Sequence, residues 1–185
     1  MGTIQNEIHK TKTGKSITIR SATAMDAKKI LALANEVFRT SEYLLTTPEE
    51  FRSFTEDMQA QRLQKFEDNP AYVNIVAEVD GQIIGMLDFQ NGARQRVAHI
   101  GTLGMSLHSQ WRNQGIGRLL LSSLIHWVEH HSSVEIIQLA VMEENVAAIK
   151  LYKSLGFEVT GREPFGVKVA EGKYLPNLTM SLKVR

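Results

Sequence analysis

The sequence predicts an α/β (α+β) domain: one mixed central sheet flanked by helices, with elements in the order β-α-α-β-β-β-α-β-α-β-β. Three observations predict it. Over residues 115–131 the side chains Ile116, Leu119, Leu120, Ser123, Leu124, Trp127 and Val128 recur at helical spacing, the mark of a helix with one buried face. The runs Tyr72–Val79 and Gln82–Asn91 read as strands, and the Asp80-Gly81 pair between them favours a type I′ hairpin turn. Ile136–Val141 is short and almost wholly apolar, as in a strand covered on both faces.

The remaining elements follow in order. Residues 1–16 read as a short polar extension, and 17–185 as a single domain. Ile17–Arg20 alternates as a strand. A helix follows, capped near Ser21 or Thr23, with Ala27, Ile30, Leu31, Ala34, Val37 and Phe38 on one face. Pro48 suits a first helical turn, and Phe51, Phe54, Met58, Leu63 and Phe66 suggest one or two further helical segments before Asn69-Pro70. After a polar loop (Gly92–Arg96) comes the strand Ala98–Leu107, whose Gly101 and Gly104 suggest a bulge or a close approach to the backbone. Asn145–Leu155 is a helix with Asn145 as N-cap and Gly156 as its left-handed stop. Phe157–Arg162 and Leu178–Lys183 are the last strands, with Pro164, Gly166 and Glu171-Gly172 breaking the stretch between them.

Composition narrows the function. The 185 residues carry 21 basic and 20 acidic side chains, so nothing calls for nucleic acid or an anionic membrane as partner. There is no cysteine, which excludes disulfides, thiolate catalysis and Cys-ligated zinc and fits a reducing cytoplasm. No apolar run approaches the ~18–20 residues of a membrane span. The polar N-terminus lacks the apolar core of a signal peptide, and Asn6 breaks a myristoylation pattern at Gly2. A cytoplasmic protein is expected.

The most informative stretch runs from Gln110 to Arg118, where a strand gives way to the helix at 115. A helix start offers unpaired backbone N–H groups and the positive end of a dipole, which suits a phosphate-bearing ligand. Gly115 and Gly117 allow close approach, and Arg112 and Arg118 add positive charge. Dinucleotide and P-loop patterns fit poorly, since Leu120 stands where the first needs glycine and no Gly-Lys-Ser/Thr follows.

Arg112-Asn113-Gln114-Gly115-Ile116-Gly117 resembles the R/Q-x-x-G-x-G/A acetyl-CoA signature of the GNAT N-acetyltransferases. Asn145 through Phe157 resembles that family's N-x-x-A-x-x-L-Y-x-x-x-G-F segment. The resemblance spans residues 17–183 and implies a mostly antiparallel sheet. Many members have Gly-Lys where this chain has Asn113-Gln114.

The resemblance implies acetyl-CoA as co-substrate, its pyrophosphate on N–H groups from Asn113 to Arg118 and its pantetheine arm paired with backbone at Met105 and Leu107. That arm would lie in a wedge where the strand ending at Leu107 splays from 136–141. The cofactor residues it implies are Met105, Leu107, Arg112, Asn113, Gln114, Gly115, Ile116, Gly117, Arg118, Asn145 and Tyr152. The Leu107 N–H would stabilise the oxyanion, and Tyr152 would protonate the departing thiolate. His99 is the first candidate for general base, with Glu143, Glu144, Glu36 and Glu42 as alternatives. Phe38, Tyr43 and Leu44 are candidates for the acceptor pocket. The expected reaction is direct transfer to a primary amine of a small molecule; a protein N-terminus or lysine is the alternative acceptor. Homodimerisation is common among relatives, and the C-terminal strands are its candidates.

Two other readings stand beside this one. The chain could be a non-catalytic acyl-CoA sensor, with Asn145 only a cap and Tyr152 only packing. His126-Trp127-Val128-Glu129-His130 matches an H-x-x-E-H zinc signature, but it ends a helix and no third ligand suggests itself, so no metal is expected.

Overall fold

The alternation beginning at Ile17 and the hairpin at Asp80-Gly81 resolve into one sheet. The computed structural model describes residues 2–11, 13–131 and 133–185. Its strands are β1 (Glu7–Lys10), β2 (Ser16–Ser21), β3 (Val73–Val79), β4 (Gln82–Asn91), β5 (Ile100–Leu107), β6 (Ile136–Met142), β7 (Glu158–Ala170) and β8 (Lys173–Lys183). They pair in the order β1-β2-β3-β4-β5-β6-β8-β7. Among the described residues only β5–β6 pairs in parallel, so the sheet is mixed and mostly antiparallel. The helices are α1 (Ala27–Thr40), α2 (Pro48–Arg52), α3 (Glu56–Asp68), α4 (Ile116–His131) and α5 (Val146–Lys153). None of the described helices is long and apolar enough to cross a membrane.

Successive strand residues point to opposite faces, so each face has its own core. On one, Ile30, Leu33 and Val37 of α1 and Leu63 of α3 close over Val76 and Ile83. On the other, Leu120, Leu124 and Trp127 of α4 pack on Ile75, Leu87 and Phe89. Gly101 is required there: a Cβ would lie 1.9 Å from the Phe89 ring, which meets Trp127 edge-on. Gly104 faces the α1 side, where a Cβ would lie 2.9 Å from Asp88 Oδ1. Both glycines thus mark the close approach their spacing suggested, by side chains of the neighbouring strand.

The structure departs from expectation at four places. Residues 7–10 of the polar extension pair with β2, while Ile4 packs on the core and Glu7 accepts a hydrogen bond from the Ser123 hydroxyl at 3.2 Å. On α1 the fully buried leucine is Leu33, not Leu31. β5 begins at Ile100 because a 3-10 turn occupies Gln95–Val97. Pro164 and Gly166 do not end β7. That strand lies at the sheet edge, where a missing N–H costs no ladder bond, and register shifts absorb them. Only Glu171-Gly172 turns the chain into β8, with Gly172 at φ 67°.

A half-buried ion cluster fixes the start of α1. The Arg20 guanidinium meets both oxygens of Asp26 at 2.8 Å and Glu78 at 2.8 Å. Burial alone would raise the Asp26 carboxyl, but Arg20 and the Thr23 amide outweigh it and hold it below the usual range.

Candidate active site

β5 is paired along its whole length to β4, but to β6 only at Ile100–Thr102. Past Thr102 the parallel strands part, which is the expected wedge. The hydrogen-bond parity says which groups face it. His108 N–H donates to Ile84 and Gly92 N–H to Ile100, so the even residues of β5 bond to β4. Leu103, Met105 and Leu107 therefore turn their N–H and C=O groups away from β4, into the gap. On the other rim, the bonds Val184 to Glu135 and Glu143 to Pro176 leave Ala140 facing the same gap.

The chain then turns sharply into α4. Asn113 takes φ 62° and Gly115 φ 89°, both left-handed. Asn is among the few non-glycine residues that tolerate this, which accounts for Asn where relatives often have Gly. The first intrahelical bond is Leu119 N–H to Gly115, so the amides of Ile116, Gly117 and Arg118 have no acceptor within the helix. Nothing stands within 4 Å of where a Gly115 Cβ would be, and the turn is open. Gly117 is needed for packing, since a Cβ there would lie 2.9 Å from Leu151 and 3.3 Å from Leu107. Arg112 is exposed. The Gln114 amide donates to Gln110 at 3.1 Å, while its buried Oε1 has no partner. The Arg118 side chain turns aside to Ser154 Oγ at 2.6 Å, so at this turn it offers its backbone more than its charge.

Asn145 caps α5, its Oδ1 accepting from the Ala148 amide at 3.2 Å. Tyr152, the penultimate residue of α5, is buried with its ring 5.8 Å from Phe157. Burial pushes its hydroxyl up to about 12, so it holds its proton firmly.

The acetyltransferase (GNAT) family matches residues 38–157, a span that holds β5, the turn and both motifs. The chain belongs to the GNAT family. The acetyltransferase of GNAT family from Streptococcus pneumoniae has the same fold, with a TM-score of 0.85 and 26% identity over 91% of this chain and 99% of that one. Salmonella typhimurium yncA, solved with its cofactor acetyl-CoA, gives a TM-score of 0.80 at 24% identity, covering 91% and 94% of the two chains. The L-amino acid N-acetyltransferase AaaT of Escherichia coli (strain K12) is 33% identical over 98 residues, 53% of this chain and 60% of that protein. The L-methionine sulfoximine/L-methionine sulfone acetyltransferase of Salmonella typhimurium is 31% identical over 119 residues, 61% of this chain and 66% of that protein. The match therefore spans less than two thirds of the length of either curated relative.

In this GNAT chain His99, the first candidate for general base, lies away from the open end of the wedge. His99 precedes β5 at the closed end of the parallel pair, where its carbonyl accepts from Glu135 and Ile136. Eight residues of strand, roughly 26 Å, separate it from Leu107. At the open end stands His108, which the sequence reading missed; its only signal was its place next to Leu107. Its Nδ1 lies 3.8 Å from Glu36 Oε2, and both side chains are 13% exposed. Glu36, one of the alternatives, also accepts from the amide and hydroxyl of Ser109. Burial would raise its carboxyl, but Ser109 and His108 outweigh it and keep it low, hence ionised. Glu143 is held by Arg162 at 2.7 Å, and Glu42 and Glu144 are exposed.

The same face carries a cavity of about 270 Å³ between α1, the loop before α2, α3 and β4–β5. Phe38 and Leu44 line it, with Ile30, Leu33, Phe51 and Phe54; Tyr43 is not among them. Its floor includes Asp88, Gly104 and Ser106, and Gln59 and Arg62 reach it from α3. His126, Glu129 and His130 do gather, with ligand atoms within 4.8 Å of one another. They are exposed near the C-terminal end of α4, about 17 Å along the helix from the turn at Gly115.

Proposed function

We propose that the protein moves the acetyl group of acetyl-CoA directly to a primary amine of a small molecule. The observation that carries this reading is the gap past Thr102, where the backbone of Leu103, Met105 and Leu107 turns toward the β6 rim beside the N-terminal amides of α4. The open space at Gly115 suits a diphosphate on the amides of Ile116, Gly117 and Arg118, with Arg112, Asn113 and Gln114 along the same turn. Met105 and Leu107 suit an amide-bearing arm laid beside β5 as an extra strand, with Asn145 and Tyr152 contributed from α5. When bound, acetyl-CoA supplies an activated thioester.

The chain's own residues divide the work. The Leu107 amide donates to the carbonyl oxygen as negative charge develops there. Tyr152 gives its proton to the departing sulfur. His108 takes the role first given to His99, accepting a proton from the attacking amine, and the Glu36 carboxylate lies where it stabilises the imidazolium so formed. Nitrogen adds to the carbonyl carbon, and the carbon–sulfur bond breaks as the oxyanion collapses. The amine's proton passes to His108 and Tyr152's to sulfur, and exchange with solvent then returns a proton to Tyr152 and takes one from His108.

A cavity of 270 Å³ favours a small acceptor over a protein segment, and the two curated relatives act on amino acids or their analogues by name. We place this work in the cytoplasm, in keeping with a chain without cysteine. A second copy would dock on the β7–β8 hairpin, where Phe165 is 77% exposed beside Tyr174. The test is to mix the protein with acetyl-CoA and a panel of small primary amines. Free thiol is expected to appear in step with acetylated amine. Acetyl-CoA binding with no thiol release for any amine would overturn the proposal.

A further inference from the structure

Gln59 and Arg62 are one helical turn apart on α3, so both look onto the same part of the sheet. Arg62 Nη2 donates to Asp88 Oδ2 at 2.9 Å, and Asp88 rests over Gly104, where only a missing Cβ makes room. Gln59 is 3% exposed, lines the cavity, and its Nε2 has no hydrogen-bond partner. An amide buried without a partner beside an empty space is unusual, because native interiors pair nearly all such groups. The rest of the cavity wall is apolar except for Thr46, Glu50 and Ser106.

Resting on the amine-acetylation reading above, we propose that Gln59, Arg62 and Asp88 form a specificity floor for acceptors whose far end is an uncharged oxygen acceptor, such as the carboxamide of glutamine or a sulfone. Charge balance selects the neutral tip. Asp88 and Arg62 neutralise each other, so an anionic tip would face the carboxylates of Asp88 and of Glu50, which the Thr47 amide holds in the cavity wall, and a cationic one would compete with Arg62. A neutral oxygen accepts from Gln59 Nε2 and from the guanidinium hydrogens that Asp88 leaves free, at no net cost in charge. Reach fits as well. Gly104 lies three residues, about 10 Å, from Leu107 along the strand. Extended glutamine spans about 6 Å from its α-nitrogen to its side-chain oxygen and a hydrogen bond at the floor adds about 3 Å, so an α-amine just short of Leu107 brings that oxygen to the floor.

The test compares glutamine, methionine sulfone, norleucine, glutamate and lysine as acceptors, by kcat/KM with acetyl-CoA and by calorimetric binding of each amino acid to the protein alone. Glutamine and methionine sulfone are expected to exceed norleucine at least tenfold and the two charged amino acids further. Gln59→Met is expected to compress the glutamine-to-norleucine ratio below threefold and to raise the melting temperature, because an unpaired buried amide gives way to an apolar chain of equal length. Norleucine matching glutamine, or a ratio unchanged in Gln59→Met, would overturn the proposal. A lowered melting temperature would also count against it, showing Gln59 already paired in the free protein. Should no amine be acetylated, the transfer reading fails and the binding order alone decides this inference.

Discussion

Leu107 and Gly85 face each other across β5 and β4 without exchanging backbone hydrogen bonds, whereas the next pair, Ser106 and Met86, does exchange them. The Leu107 amide is therefore free of the β4 ladder and directed at the gap. Leu107→Pro removes it without costing a β4–β5 bond. That variant is expected to lose about 10²–10³-fold in kcat, the usual worth of one oxyanion donor, with a modest fall in melting temperature. Ser106→Pro breaks a ladder bond instead, at roughly 1–3 kcal/mol for the unpaired group. Leu107→Ala, which keeps the amide, is expected to keep most of the rate. Steady-state kinetics with calorimetric melting distinguishes the three.

Tyr152 tests the proton donor. No hydrogen bond to its hydroxyl is found among the described residues, so Tyr152→Phe should melt within a few degrees of the parent. The expected loss in kcat is about 10²–10⁴-fold. Its burial-raised hydroxyl, up to about 12 against an ordinary 10, stays protonated below pH 10, so the parent's rate should show no alkaline fall from this group in that range. The sign for stability follows. The unfolded tyrosine ionises first, so stability is whole below pH 10 and is lost as pH rises toward 12.

The turn at Asn113 tests the departure from the family pattern. With φ at 62°, Asn113→Ala is expected to cost about 1 kcal/mol in chemical denaturation, while Asn113→Gly should stay within about 0.5 kcal/mol of the parent. Affinity for CoA should be unchanged in Asn113→Gly, since the proposed binding mode assigns the contact to backbone amides and not to that side chain.

Much of this was legible in the sequence because it is periodic or local. The α4 stripe, the Asp80-Gly81 hairpin, the Asn145 cap and the two motifs each depend on residues a few positions apart. What was not legible depends on partners far along the chain. His99 and His108 both flank a strand that parts from its neighbour, and only the register shows the strands joined at the first and open at the second. Glu36 meets Ser109, and Arg62 meets Asp88, across separations that composition does not encode. Pro164 and Gly166 looked like strand ends because their place at the sheet edge was not visible.

Asp26 offers a test of the scaffold apart from the site. Asp26→Asn leaves Arg20 with Glu78 alone, and a loss of about 2–3 kcal/mol is expected, below the usual cost of breaking a fully buried pair. Because the folded Asp26 carboxyl is held below its unfolded value, its contribution is present above about pH 4 and fades as pH falls through the lower folded value. The parent's stability should therefore drop more steeply with acid than the variant's, as read by urea midpoints between pH 5 and 3.

The most direct test of the central account is a titration of ¹⁵N-labelled protein with CoA, followed by amide NMR. The backbone signals of Met105, Leu107 and Ile116 through Arg118 are predicted to move first and furthest, while those of Gly104 and Ser106, bonded to β4, move less. Saturable binding that leaves Leu107 and the 116–118 amides unmoved would contradict the account.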